Sequence, residues 1–461
     1  MTGERILPRV TTDLTISSSR IVTPDGVRPG TVVVSDGQIQ TILPPGQAPA
    51  AAHAVEAGDA ALLPGVVDTH VHINEPGRTE WEGFHTATRA AAAGGVTTLV
   101  DMPLNSIPPT TTLEALRVKQ EAAANAALVD YGFWGGVVPG NFDALEPLLD
   151  AGVLGFKCFL VPSGVDEFAH VEESDLRPAM RRLAARKAVL LAHAELPGPI
   201  ARAASATARD PRRYATWLAS RPEAAELEAI ELLLHLSRET GCHVHIVHLS
   251  TAAALPTLET ARATGAAITV ETCPHYLTLA AEAIPDGATP FKCAPPLRSG
   301  ANKERLWDGL ERGIIDLVAS DHSPAPAGLK QLESGDFMAA WGGIASLELS
   351  LAVLWTGARA RGLGLVDLAR WLCAGPARLS GLDHKGRIAP GCDADLVIFD
   401  TEAEWAVDSA QLHQRHPITP YAGMRVLGQV RQTFVRGRCV YENGRCNERP
   451  EGQWVRRATT R

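Results

Sequence analysis

Short apolar runs alternate with longer amphipathic stretches between Leu62 and Pro324. The longer stretches are rich in Ala, Leu, Glu and Arg, which are good helix formers. Eight apolar runs occur: LLPGVVDTHVHI, TTLVDMPL, YGFWGGVV, GVLGFKCFL, KAVLLAHAE, HVHIVHLS, AITVETCPHYL and IDLVASDHSP. Strands that alternate with helices predict βαβ units and a parallel sheet. Eight units in roughly 260 residues predict an α/β fold with a (β/α)8 barrel. The alternative is an open doubly wound sheet. It is less favoured because no glycine-rich dinucleotide-binding motif follows any of the predicted strands.

Both ends of the chain show a different pattern, in which short strands alternate with turns. This pattern covers residues 13–61 and 386–441. We expect the two ends to pair in one small β-sandwich beside the barrel, and polar residues 444–461 to form a loose or partner-contacting tail. The predicted domains are residues 1–64, the N-terminal part of the sandwich; 65–384, the barrel; and 385–461, the C-terminal part of the sandwich and the tail.

Composition narrows the class of protein. The 461 residues carry a formal net charge of −9, which argues against a nucleic-acid-binding surface. The eight cysteines form no CxxC pair, and several lie in strand-like runs, which favours reduced thiols over disulfides. The N-terminal stretch has no apolar signal-peptide core, and no apolar run reaches the ~18 residues of a membrane span. We therefore expect a cytoplasmic protein with no nucleic-acid or membrane partner.

Residues that can bind metal ions lie at one end of five predicted strands. They are His70 and His72 on strand 1, Lys157 on strand 4, His193 on strand 5, His248 on strand 6 and Asp321 on strand 8. Each histidine alone is more often structural, and the aspartate alone would suit an N-cap, whereas a lysine inside an apolar run is harder to explain as structural. Five strands that present such residues at the end where barrels carry their chemistry favour a shared metal site. By contrast, strand alternation predicts that His245 points away from this site.

The lysine in GFKCFL suggests a second feature. Burial of an unpaired ammonium is costly, and burial near cations lowers the pKa of a lysine towards the neutral amine. A neutral amine can add carbon dioxide and form a carbamate, which has two oxygens that can bridge two metals. We therefore hypothesise that Lys157 is carboxylated in a site with two divalent ions that activates water.

The segments DTHVH, GFKCFL, HAE, HLS and SDHSP resemble the ligand motifs of the amidohydrolase superfamily, in its cyclic amidohydrolase branch. The resemblance covers essentially the whole chain, including the late GRIAPGCDADLVIFD segment. It implies that His70, His72 and Asp321 bind one metal, that His193 and His248 bind the other, and that N6-carboxylated Lys157 bridges both. It also implies zinc, or else cobalt, manganese or iron, and a homo-oligomer, either a tetramer or a dimer.

Three groups of this branch compete. Dihydroorotases normally carry an Arg two residues after the second His and an Asn directly after Met-Pro, where this chain has Asn74 and Leu104. Hydantoinases and dihydropyrimidinases normally carry a Tyr five residues after the bridging lysine, where this chain has Pro162. At these positions the chain therefore has neither the arginine that would bind a substrate carboxylate nor the tyrosine hydroxyl.

The combination of HVHINEPGRTEWEGF, DMPLNSIPPT, GFKCFLVPSG, ETCPHYL, KCAPPLR and SDHSP most resembles the allantoinase group. This resemblance implies that a small cyclic ureide, allantoin, is opened at its hydantoin ring to allantoate, a step of purine catabolism. It implies that Asp321 is the catalytic base and then acid. The expected substrate contacts are Asn74, Ser163, His275 and the backbone around Ala294 and Gly342. The alternatives are a hydantoinase or dihydropyrimidinase, a dihydroorotase, and a non-enzymatic scaffold, which the complete set of six ligand residues disfavours.

Overall fold

The computed structural model describes residues 12–204 and 210–457. Its strands, in chain order, are β1 (Leu14–Thr23), β2 (Gly26–Ser35), β3 (Gln38–Leu43), β4 (His53–Glu56), β5 (Ala61–Pro64), β6 (Val66–Val71), β7 (Val96–Asp101), β8 (Asp130–Phe133), β9 (Gly135–Gly136), β10 (Phe156–Phe159), β11 (Leu190–His193), β12 (Val244–Ile246), β13 (Ile268–Thr272), β14 (Leu317–Val318), β15 (Leu396–Ala406), β16 (Arg425–Val435), β17 (Arg438–Glu442) and β18 (Arg445–Cys446).

The α-helices, in chain order, are α1 (Phe84–Ala93), α2 (Leu113–Ala124), α3 (Leu145–Ala151), α4 (Glu173–Ala185), α5 (Pro197–Ala204), α6 (Tyr214–Ser220), α7 (Glu223–Thr240), α8 (Leu255–Ala263), α9 (Pro274–Thr278), α10 (Gly300–Glu311), α11 (Ser350–Arg359), α12 (Leu365–Ala369) and α13 (Gly375–Leu379). Among the described residues, no helix combines the length and the apolar composition that are needed to span a membrane.

Strands β6 to β14 form the barrel and pair in parallel. Their residues are almost all buried, as expected for strands that have helices on one face and a packed interior on the other. The third predicted strand is interrupted at Trp134, which separates β8 from β9. The barrel closes where Val71 pairs in parallel with His322, four residues after β14. The predicted (β/α)8 barrel is confirmed.

Strands from both ends of the chain form one continuous nine-stranded sheet. Antiparallel pairing of β5 with β15 joins the two ends, with Leu62 opposite Ile398. Apolar side chains from both ends, among them Ile16, Val34 and Phe434, pack in a shared buried cluster. The expected β domain, built from both chain ends, is therefore present.

The C-terminal segment is not the loose tail that its polar composition predicts. The Tyr131 amide donates to the Gln453 carbonyl at 3.0 Å, and the Val455 amide donates to the Tyr131 carbonyl at 2.8 Å. The Trp454 ring lies 5.8 Å from the ring of Phe133. Because the contact relies on backbone hydrogen bonds beside β8, hydrophobic periodicity gives no sign of it. The rest of the predicted tail, residues 458–461, lies outside the described residues.

A buried ion cluster joins the barrel to the C-terminal strands. The Lys385 ammonium lies 2.9 Å from Asp130 on β8, 2.9 Å from Asp393 and 2.7 Å from Asp395. Burial would lower the pKa of Lys385, but the three carboxylates raise it far above its usual value. Arg436 also pairs with Asp130. The three carboxylates lie close enough together to hold a metal ion, but the ammonium already supplies the cation they need.

We expect Lys385→Met to lower the free energy of unfolding by about 3–5 kcal/mol, because it leaves buried carboxylates without their cation. The urea midpoint of unfolding measures this change. Lys303→Met is the control, because that lysine is partly exposed and forms only a 3.7 Å ion pair with Glu304. The free energy of unfolding of this variant should change by less than ~0.5 kcal/mol. Equal midpoints for the two variants would contradict the role of the cluster.

Candidate metal centre

Residues from the first and last barrel strands meet at the carboxyl end of the barrel. Nε2 of His70 lies 3.2 Å and Nε2 of His72 lies 3.4 Å from Oδ1 of Asp321. Possible ligand atoms of these three buried residues all lie within 4.8 Å of one another. The spacing of His70 and His72, two residues apart at the end of β6, lets both rings face Asp321. The structure thus brings together the three residues that were predicted to share one ion.

The other two predicted histidines lie beside this group. The ring centroid of His248 is 4.6 Å from that of His193 and 5.4 Å from that of His70. His248 and Asp321 both lie past the ends of their strands and have φ values of +40° and +48°. This left-handed conformation is costly for residues with a Cβ and tends to occur at functional sites.

Lys157 lies in β10, completely buried, and its Nζ forms no hydrogen bond with any described residue. The ammonium position is 5.0 Å from the centroid of the Phe159 ring, which stacks on His193 at 4.6 Å. Burial lowers the pKa of Lys157 to about 8, against the opposing charges of Glu271 and Asp321. An unpartnered amine with a lowered pKa among five potential ligands fits a lysine that is modified or bound to a further group.

The protonation states suit cation binding. Burial lowers the pKa of His72 to about 4 and that of His248 well below its usual value. Burial would raise the pKa of Asp321, but the charge of His70 and a hydrogen bond with His72 hold it well below its usual range. Neutral imidazoles and an ionised carboxylate are the forms that bind divalent metals.

Two buried glutamates orient the histidine rings. Glu271 of β13 lies 2.5 Å from Nδ1 of His70 and 3.0 Å from Nε2 of His245. Burial would raise the pKa of Glu271, but the charge of His70 and hydrogen bonds with both histidines lower it to about 2. Glu195 lies 2.7 Å from Nε2 of His193. One nitrogen of His70 and one of His193 are therefore held by carboxylates, which leaves the other nitrogen of each ring for a ligand.

Sequence reasoning missed both glutamates. Glu195 follows His193 by two residues in the HAE motif, and an acid so close to a predicted ligand, directly after an apolar run, was the available signal. The prediction that His245 points away from the site was wrong, because its ring contacts Glu271 behind His70. Strand alternation could not be extended to His248, because β12 ends at Ile246 and the chain then turns.

The histidines open onto a cavity of about 270 Å³. Of the predicted substrate contacts, Ser163, Ala294 and Gly342 lie in its wall. The Ser163 hydroxyl donates to the Phe168 carbonyl at 2.6 Å, within its own loop. Wall residues that the sequence analysis did not select include Asn105, Trp217, Arg221, Lys292, Ser323 and Trp341.

Asn74 and His275 are buried behind this wall rather than in it. Both polar side-chain atoms of Asn74 are without hydrogen-bond partners among the described residues. The same holds for both ring nitrogens of His275, which belongs to a buried group with Cys273 and Asp321. His275 lies in α9, past the end of β13. Neither residue is in direct contact with the cavity, so a role for either would need an intervening group.

Known proteins match this chain over most of its length. The sequence profile described as the amidohydrolase family matches residues 61–440. The chain is 50% identical to an allantoinase from Streptomyces avermitilis, over 96% of this chain and 99% of the relative. It is 45% identical to an allantoinase from Arabidopsis thaliana, over 93% of this chain and 88% of the relative.

A solved structure of an L-hydantoinase (dihydropyrimidinase) from Arthrobacter aurescens superposes with a TM-score of 0.91 and 34% identity. The match covers 97% of this chain and all of that structure. The profile, the relatives and the fold agree, and this chain belongs to the amidohydrolase family.

Proposed function

We propose that this protein is a metal-dependent hydrolase that opens the hydantoin ring of allantoin to give allantoate. The observation that carries the proposal is its 50% identity, over nearly all of both chains, with a protein named allantoinase. Five of the six ligand-type residues line one cavity and the sixth, Lys157, is completely buried, which supports the proposal and speaks against a non-enzymatic scaffold.

In this proposal the six residues hold two divalent metal ions. His70, His72 and Asp321 hold one ion, His193 and His248 hold the other, and N6-carboxylated Lys157 bridges them. Support comes from the neutral imidazoles of His72 and His248, the ionised carboxylate of Asp321 and the unpartnered amine of Lys157. Zinc suits nitrogen and oxygen ligands of this kind, and cobalt, manganese or iron can use the same set. Such ions, when bound, polarise a carbonyl group and lower the pKa of water.

Asp321 is the proposed proton carrier. Its carboxylate stays ionised, lies in the cavity wall and accepts a hydrogen bond from the Ser323 hydroxyl at 3.3 Å. It can therefore take a proton from the attacking water and deliver it to the ring nitrogen that leaves. The water oxygen joins the ring carbonyl carbon, the carbon–nitrogen bond of the ring breaks, and the product is a carboxylate.

The cavity supports a small cyclic substrate. Its volume of about 270 Å³ lies just below the usual range for ligand pockets, roughly 300–1,000 Å³, which favours a small ligand. Pro162 lies in the wall and has no hydroxyl to offer an oxyanion, and the backbone around Ala294 and Gly342 provides polar groups instead. We keep Ser163, Asn74 and His275 as lesser candidates for substrate positioning, because their side chains are held within a loop or lie behind the wall.

Hydantoinase activity is the second candidate, because the superposition with an L-hydantoinase is close. We further propose a cytoplasmic homotetramer or homodimer. All eight cysteines are free, which suits a reducing compartment. Leu329, Leu332 and Met338 are exposed apolar side chains near one another in sequence, which suits a contact between subunits.

The first test compares the hydrolysis of different cyclic amides. We expect metal-reconstituted protein to hydrolyse allantoin with a kcat/KM at least ~10²-fold above that for hydantoin or dihydrouracil. We expect no turnover of dihydroorotate, because Asn74 occupies the position of the carboxylate-binding arginine. Turnover of hydantoins or dihydroorotate without turnover of allantoin would refute the proposed substrate.

Lys157→Ala tests the bridging group. We expect fewer than two metal ions per chain by inductively coupled plasma mass spectrometry, and a loss of kcat of about 10³-fold or more. Added acetate should restore part of the activity, since it supplies a carboxylate where the side chain is missing. Lys303→Ala, on the surface of α10, is the control and should keep both metals. Two ions and full activity in Lys157→Ala would rule out the bridging role.

Glu271→Gln tests the buried carboxylate behind His70. The change removes the charge that fixes the ring, and we expect zinc affinity to fall about 10- to 100-fold. Competition with a chromophoric chelator measures this affinity. Glu228→Gln is the control, because this glutamate forms a surface ion pair with Arg202. An unchanged affinity in Glu271→Gln would show that the carboxylate does not support metal binding.

A further inference from the structure

Arg221 lies in the wall of the metal cavity on a short connection between two helices. It follows α6 directly and precedes Pro222, after which α7 begins. Its amide donates to the Leu218 carbonyl at 3.2 Å, and a residue before proline is restricted to extended conformations. The backbone at Arg221 is therefore held by a helix on either side.

One edge of the Arg221 guanidinium is already paired. Nη1 donates to Glu195, the same carboxylate that holds His193 at 2.7 Å. The guanidinium forms no other hydrogen bond with the described residues, although it has five N–H donors in all. The side chain is 17% exposed, and this exposure is towards the cavity that it lines. Several donors are thus available to a bound molecule.

The residues beside Arg221 in the cavity wall distinguish it from the other cation there. Trp217 is fixed by a hydrogen bond from Nε1 to the Cys293 carbonyl at 3.0 Å, and its ring lies 5.2 Å from the Arg221 guanidinium. The other cation near this ring, Lys292, uses its ammonium to bind the carbonyls of Met338 and Ala340. Of these two cations, Arg221 is therefore the one that keeps N–H donors without a partner among the described residues.

The pairing with Glu195 also determines which kind of substrate group Arg221 can bind. Because the carboxylate compensates its charge, Arg221 can bind a neutral acceptor without leaving a buried charge unbalanced. A urea carbonyl is a planar neutral acceptor that matches the planar array of guanidinium donors. Allantoin has such a group as a substituent on the ring carbon beside the carbonyl that is hydrolysed, and hydantoin itself has none.

We propose that Arg221 binds the ureido carbonyl of the substrate and so selects 5-ureidohydantoins over simple hydantoins. This inference rests on the proposed function. Glu195 contacts both the Arg221 guanidinium and His193. The residue that binds the substituent is therefore connected to a proposed metal ligand.

The experiment compares Arg221→Met, Arg221→Lys and the surface control Arg202→Met in metal-reconstituted protein. Arg202 pairs with Glu228 at 2.9 Å and is 67% exposed, so its loss removes an arginine–glutamate pair outside the cavity. Three quantities are measured for each variant: the KM for allantoin, the competitive inhibition constant of unsubstituted hydantoin, and the metal content.

We expect Arg221→Met to raise the KM for allantoin about 10- to 100-fold, because a hydrogen-bonding group that recognises the substrate is lost. The inhibition constant of hydantoin should change less than ~3-fold, since hydantoin has no ureido group for Arg221 to bind. Arg221→Lys should give an intermediate KM, because a lysine keeps the charge but not the planar donors. Metal content should stay unchanged in all three variants.

Equal losses for allantoin and hydantoin, or loss of metal in Arg221→Met, would overturn the inference and assign Arg221 a purely structural role through Glu195. An unchanged KM for allantoin would also overturn it. A wild-type protein that fails to hydrolyse allantoin would instead refute the proposed function, so the two failures are distinguishable.

Discussion

The site depends on the closure of the barrel between its first and last strands. Val71 pairs with His322, and the His72 amide donates to the His322 carbonyl at 2.9 Å. This pairing joins segments that are about 250 residues apart and brings His70 and His72 against Asp321. The left-handed backbone at Asp321 then directs a carboxylate towards both rings at a cost in conformational energy. The remaining predicted ligands extend the same rim from β10, β11 and the segment after β12.

Behind this rim, buried carboxylates determine which atoms are available for chemistry. Glu271 binds His70 and His245, while Glu195 binds His193 and Arg221. Each carboxylate is completely buried and pairs with the groups it orients, while Oε1 of Glu195 has no hydrogen-bond partner among the described residues. His193 of the proposed metal centre and Arg221 of the cavity wall therefore share one carboxylate, and a change in Glu195 would affect both.

Sequence reasoning identified the fold, and it selected candidate ligands that the structure brings close together, because both have strong periodic signals. Alternation of strands with helices marks the barrel, and ligand-type residues at matching strand ends mark its rim. It did not identify Arg221, since a residue between two helices carries no strand-end signal and reaches the cavity only through tertiary packing. It misjudged His245 because period-two alternation fails once the strand has ended. The docking of Trp454 and Val455 on β8 was missed because it relies on backbone pairing, which side-chain patterns do not encode.

The central claim is that two metal ions, held by the rim residues, are required for hydrolysis of allantoin. Titration of metal-free protein with zinc, while the formation of allantoate is followed, tests this claim most directly. The account predicts that activity rises from the baseline and reaches its plateau close to two equivalents of zinc per chain. Activity that is independent of added metal, or that is complete at one equivalent, would contradict it.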